Sequence, residues 1–78
     1  MVKLLYFSIV KEKIGKQEEY LDFSGSLREL KELLKSRYPE LGNVWDTVRF
    51  AVNEEYVDEN YELSDNDRVA IIPPVSGG

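Results

Sequence analysis

One stretch of this chain repeats apolar residues at helical spacing. Everything on either side of it reads as short extended segments, so the fold has one main helix with which to cover whatever sheet it builds. Ser26, with Glu29 three residues on, forms the capping-box pattern. Leu27, Leu30, Leu33, Leu34 and Tyr38 then line one stripe, opposite Arg28, Lys31, Glu32 and Lys35. Tyr38 precedes Pro39, whose ring disfavours the α conformation at the residue before it, so the helix is predicted to stop near Arg37 with its stripe on a sheet.

The sheet is read from β-prone runs. Val2 to Val10 reads as a strand with Val2, Leu4 and Tyr6 on one face and Lys3, Leu5, Phe7 and Ile9 on the other. Lys11 to Lys16 reads as a charged turn in which Gly15 supplies a positive φ, and Gln17 to Phe23 as the antiparallel partner of the first strand. Val48–Val52 and Tyr56-Val57 read as short strands around a turn at Asn53-Glu54-Glu55. Arg68–Ile72 reads as a final strand after a turn at Asp65-Asn66-Asp67. That acidic turn lacks the ligand spacing of a calcium loop, so it is expected to be solvated. Glu40 to Thr47 is irregular, and Trp45 is expected to be core or a loop plug. The class is α+β, a mixed curled sheet packed on one main helix. A lone helix covers only one face, which leaves Leu5, Phe7 and Ile72 as candidates for an uncovered apolar patch suited to a protein partner.

Composition removes most catalytic chemistry. In 78 residues there is room for one domain and one small core. The chain has no cysteine and no histidine, which takes away the thiolate nucleophile, the usual metal ligands and the commonest general base. No metal site and no bound cofactor are expected, and catalysis by this chain alone is not expected either. Fifteen acidic against ten basic residues give a net charge of −5, which argues against nucleic acid and anionic membranes and suits a basic protein partner. With no apolar run of about 18 residues and no signal-peptide pattern, a cytoplasmic location is expected.

The remaining chemistry sits at the end of the chain. Pro73 and Pro74 remove two N–H donors, so strand pairing stops at Ile72 and residues 73–78 leave the folded body of residues 1–72 as an extended tail. Six residues at about 3.3 Å each reach roughly 20 Å. Gly77 and Gly78 carry no Cβ and can thread a slot too narrow for other residues. The carboxylate of Gly78, with an ordinary pKa of roughly 3.3–3.7, is ionised at neutral pH and reacts only after an outside agent converts one oxygen into a leaving group.

The ending Asp67-Arg68-Val69-Ala70-Ile71-Ile72-Pro73-Pro74-Val75-Ser76-Gly77-Gly78 resembles the C-terminal signature of the small, sulfur-carrying subunits of molybdopterin synthase, the MoaD family. Val2-Lys3-Leu4-Leu5-Tyr6-Phe7, Lys11-Glu12, Gly15 and Ala51-Val52-Asn53 extend the resemblance over nearly the whole chain. It implies the ubiquitin-like β-grasp fold and a cycle in which an adenylating, E1-like enzyme uses ATP to activate Gly78. Sulfur then replaces one oxygen, and the thiocarboxylate tail enters the large synthase subunit to donate sulfur to precursor Z, cyclic pyranopterin monophosphate. On this resemblance Gly78 carries the reaction and Gly77 keeps the tail slim. Phe7, Ile72, Pro73, Pro74, Val75, Ser76 and Lys11 meet the two protein partners. Many family members have Arg where Lys11 stands, and Gly where Asn66 stands.

Three other readings stay open at the level of sequence. A thiamine-pathway sulfur carrier shares the fold and the Gly-Gly end but generally lacks the Pro-Pro-Val-Ser approach. A ubiquitin-like modifier would link Gly78 to lysines of target proteins, and a plain interaction domain would have an inert tail.

Overall fold

The computed structural model describes residues 1–74. Its elements are β1 (Val2–Tyr6), α1 (Ser8–Ile14), β2 (Glu18–Leu21), α2 (Leu27–Arg37), a 3₁₀ segment (Pro39–Asp46) kinked at Gly42, β3 (Arg49–Val52), β4 (Glu55–Val57) and β5 (Arg68–Ile72). The strands form one sheet in the order β2-β1-β5-β3-β4. β1 runs parallel to β5, and the β1–β2, β3–β5 and β3–β4 pairs are antiparallel. The sheet is therefore mixed, and the last strand lies at its centre.

Helix α2 forms where its pattern predicts. The Ser26 hydroxyl accepts from the Glu29 N–H at 3.2 Å, and a Glu29 carboxylate oxygen accepts from the Ser26 N–H at 2.9 Å, closing the capping box. Leu27, Leu30 and Leu34 are fully buried and pack on Val2, Leu4, Tyr6, Phe50, Val69 and Ile71 from the inner face of the sheet. Trp45 is both core and plug: its ring is buried among these residues, and its Nε1 donates to the Tyr38 carbonyl at 2.9 Å.

The first segment departs from its expected course. The strand ends at Tyr6 instead of Val10, and Ser8–Ile14, expected to continue the strand and then turn, is a helix. Val10 is fully buried, Ile14 lies one helical turn further on and packs against the core, and the Phe7 carbonyl accepts from the N–H groups of Val10 and Lys11. Spacing of i, i+4 puts Val10 and Ile14 one turn apart on the same side of the helix, so both meet the core. Gly15 then closes the helix in the left-handed region at φ 83°, its N–H donating to the Lys11 carbonyl at 2.9 Å. The main helix is thus assisted by a second, short one, which packs on β5 and on the 3₁₀ segment.

The later turns match the reading, with small shifts. Asn53 and Glu54 both have positive φ, so the β3–β4 hairpin turns on two residues and Glu55 joins the strand. Asn66 takes φ 70° in the turn before β5, as expected for a residue that tolerates the left-handed region. The buried Asp67 fastens that turn: its carboxylate accepts from Asn53 Nδ2 at 3.0 Å and from the Ser64 N–H at 2.8 Å.

Candidate functional site

The site is the sheet face that α2 does not cover, built around the end of β5. Parallel register pairs Tyr6 with Ile71, so Phe7, the next residue out of β1, emerges beside Ile72 at the end of β5. Antiparallel register sets Ala70 opposite Ala51, and Ala51 opposite Tyr56. Alternation along the strands then brings Phe7, Ala51, Glu54, Tyr56, Ala70 and Ile72 around one groove of about 360 Å³. Two alanines make its floor because a methyl group is all that projects there, while Phe7, Tyr56 and Ile72 make its walls. Phe7 is 45% and Tyr56 62% exposed, a large aromatic surface for so small a protein. Leu5, in register with Ala70, continues the apolar strip toward β2 and is half-buried.

Charged side chains frame the strip. Lys3 lies 5.7 Å from the centre of the Tyr20 ring and 3.2 Å from Glu18, and Arg68 lies 3.8 Å from Glu54. Arg49, opposite Ile72 in register, holds its guanidinium 5.2 Å from the centre of the Tyr56 ring. The Lys3 ammonium sits above its usual pKa because Glu18 hydrogen-bonds and attracts it.

Of the residues singled out from the sequence, Phe7 and Ile72 meet at the groove. Lys11 does not line it: it is exposed on α1, its N–H bonded to the Phe7 carbonyl. Pro73 is buried and Pro74 exposed. Val75, Ser76, Gly77 and Gly78 lie outside the described residues. Tyr56, Ala51, Ala70 and Arg49 were missed by sequence reasoning. The alternation of Arg68, Ala70 and Ile72 was a usable signal for Ala70, but Tyr56 and Arg49 needed the strand order.

The most perturbed titratable groups lie elsewhere. On the inner side, at the β2 edge, the Tyr6 hydroxyl donates to Glu19 Oε2 at 2.5 Å and the Tyr38 hydroxyl to the same oxygen at 2.9 Å, while Lys16 and Arg37 approach Oε1 at 3.5 and 3.4 Å. Burial, and then the bond to Glu19, pushes the Tyr6 phenol far above its ordinary range. Burial alone would raise the Glu19 carboxyl, but the two tyrosine hydroxyls and Lys16 outweigh it and hold the group below its ordinary value. This cluster ties β1, β2 and the end of α2 together and does not open onto the groove. Among the described residues no cluster of acidic side chains could hold a metal ion, and no helix is long and apolar enough to cross a membrane.

A mixed five-stranded sheet wrapped over a main helix, with its C-terminal strand central and parallel to the first, defines the ubiquitin-like β-grasp class. The chain belongs to the ThiS family, whose model matches residues 4–78. It is 40% identical over 82 aligned residues to the molybdopterin synthase sulfur carrier subunit of Dictyostelium discoideum, covering 97% of this chain and 94% of that one. It is 34% identical to the human protein of the same name, covering 99% and 93%. Among solved structures, a putative molybdopterin converting factor subunit 1 from Pyrococcus furiosus superposes with TM-score 0.77 at 34% identity, covering 95% of this chain and 97% of that one. A complex of subunits 1 and 2 of the molybdopterin-converting factor from Helicobacter pylori matches with TM-score 0.73 at 26% identity, covering 99% and 97%. The resemblance read from the tail therefore extends to curated relatives over the full length of the chain.

Proposed function

We propose that this chain is a sulfur carrier, the small subunit of a molybdopterin synthase, and that its reactive group is the carboxyl of Gly78. The supporting observation is positional. The central strand β5 runs out at Ile72 into Pro73-Pro74 beside an uncovered apolar groove, so a protein seated on Phe7, Tyr56 and Ile72 sits at the root of the tail it would receive. The Helicobacter pylori neighbour is itself a two-subunit complex, which supports a large-subunit partner for this chain.

In the proposed cycle an adenylating enzyme transfers AMP from ATP to the Gly78 carboxylate and releases pyrophosphate. The acyl adenylate supplies the leaving group that a carboxylate lacks, and a sulfur nucleophile displaces AMP to leave a thiocarboxylate. The folded body contributes recognition: the groove docks on the activating enzyme and then on the large subunit, where the thiocarboxylate donates sulfur to precursor Z. With no cysteine or histidine in the chain, the carrier brings no competing nucleophile of that kind to the reaction. Intact-mass analysis after incubation with the activating enzyme, ATP and a sulfur source tests the first half of the cycle. The expected result is replacement of one oxygen by sulfur at the C-terminal residue. An unchanged mass, or lysine-linked adducts of target proteins in its place, contradicts the proposal.

A further inference from the structure

Tyr56 is the wall between two concavities. On one side lies the apolar groove with Phe7 and Ile72, and on the other a space of about 460 Å³ lined by Arg49, Tyr56, Val57 and Asp58 among others. Arg49 is exposed, stands opposite Ile72 across the β3–β5 pair, and rests its guanidinium over the Tyr56 ring.

Its charge is not answered within the described residues. Arg28 is paired with Glu59 at 3.9 Å, Arg37 with Glu19 at 3.4 Å and Arg68 with Glu54 at 3.8 Å, whereas Arg49 makes no ion pair. The two acidic residues that line the same concavity are already engaged. Asp58 accepts from the Asn60 N–H at 2.8 Å, and Glu59 is held by Lys31 at 2.7 Å. An aromatic ring under a guanidinium leaves its planar N–H fork pointing outward, pre-oriented for a bidentate acceptor.

We infer that Arg49, braced on Tyr56, is a carboxylate-recognising anchor of the docking face. The large subunit would place an aspartate or glutamate against Arg49 while one of its apolar side chains fills the neighbouring groove. The inference rests on the large-subunit partner of the preceding section and adds the chemistry of the contact, which is opposite in sign to the chain's net charge of −5. A phosphate-bearing ligand of the activating enzyme is the competing occupant. It is disfavoured because Arg49 is, among the described residues, the one basic side chain lining that concavity, enough positive charge for a single carboxylate and too little for a multiply charged anion.

The test is the affinity of the full chain for its large subunit, measured across a salt series for wild type, Arg49→Gln and Arg49→Lys, with thermal midpoints recorded as a check on folding. Arg49→Gln is expected to weaken binding about tenfold with a shallower salt dependence. Arg49→Lys is expected to keep the salt dependence but lose part of the affinity, because a lysine lacks the fork. Equal affinities for wild type and Arg49→Gln overturn the inference while leaving the partner in place. So does a weakening with unchanged salt dependence, or a defect confined to adenylation. Failure of wild type to bind the large subunit overturns the partner and the inference together.

Discussion

Ala70 and Ala51 face each other across the central pair of antiparallel strands, and their two methyl groups are the floor of an apolar groove at the end of β5. The small side chains there have no packing role in the core, which lies on the other side of the sheet. Ala70→Phe is therefore expected to fill the groove from below, leave the thermal midpoint within a few degrees of wild type, and reduce affinity for the large subunit by at least about tenfold, or roughly 1.4 kcal/mol. Calorimetric titration beside a melting curve checks both parts. A large drop in melting temperature with affinity unchanged contradicts the groove assignment.

Phe7 and Ile72 form the walls. Phe7→Ala is expected to cost about 2 kcal/mol or more of binding, the range of interface hot spots. Because Phe7 is 45% exposed in the free chain, its truncation should cost the fold about 1 kcal/mol or less. Chemical denaturation and binding, measured on the same variant, separate the two effects. Loss of stability with intact binding would sink this account of the outer face.

The Glu19 cluster predicts a pH dependence. Its folded-state carboxyl titrates below the ordinary value of 4.5, so the stability it contributes is fully present above that value and is lost as pH falls through the lower, folded-state one. Glu19→Gln is expected to lower stability at neutral pH by about 1–3 kcal/mol, since the Tyr6 and Tyr38 hydroxyls lose a charged acceptor. The difference from wild type should shrink as the solution is acidified below pH 4.5. Tyr6 acts in the opposite direction: its raised phenol pKa gives stability that is complete below its ordinary value of 10.0 and is lost as pH rises beyond it. Denaturant midpoints of wild type, Glu19→Gln and Tyr6→Phe from acid to alkali read both limbs. A constant gap between wild type and Glu19→Gln down to strong acid would refute the clamp.

Ser26→Ala removes one arm of the capping box and leaves the Glu29 N–H without its acceptor. The expected loss is about 1 kcal/mol of stability with no change in partner affinity, because the start of α2 lies on the far side of the sheet from the groove. A change in binding without a change in stability would contradict this placement.

What could be read from the sequence and what could not divide along local and non-local lines. Leu27–Arg37 was legible because its period, its capping box and the Tyr38-Pro39 stop all agree, and Arg68–Ile72 because a turn and two prolines bracket it. Ser8–Ile14 was hidden because Phe7 and Ile9 prolong the alternation of β1, so the helical spacing of Val10 and Ile14 is overwritten by the stronger strand signal. Phe7 and Ile72 were found as apolar residues on a second face. Tyr56 and Arg49 were not, since β4 has only three residues and their positions depend on which strands become neighbours. The Tyr6, Glu19 and Tyr38 cluster joins two strands and the end of a helix, and no local pattern announces it.

The claim at the centre of this account is that the folded body delivers its own C-terminus to a partner's active site. The most direct measurement is conversion of precursor Z by the large subunit, supplied with thiocarboxylated full-length chain or with a chain ending at Ser76 put through the same activation. The account predicts dithiolene product from the full-length chain and none from the shortened one, which still binds through Phe7, Tyr56 and Ile72. Equal product from both would contradict it.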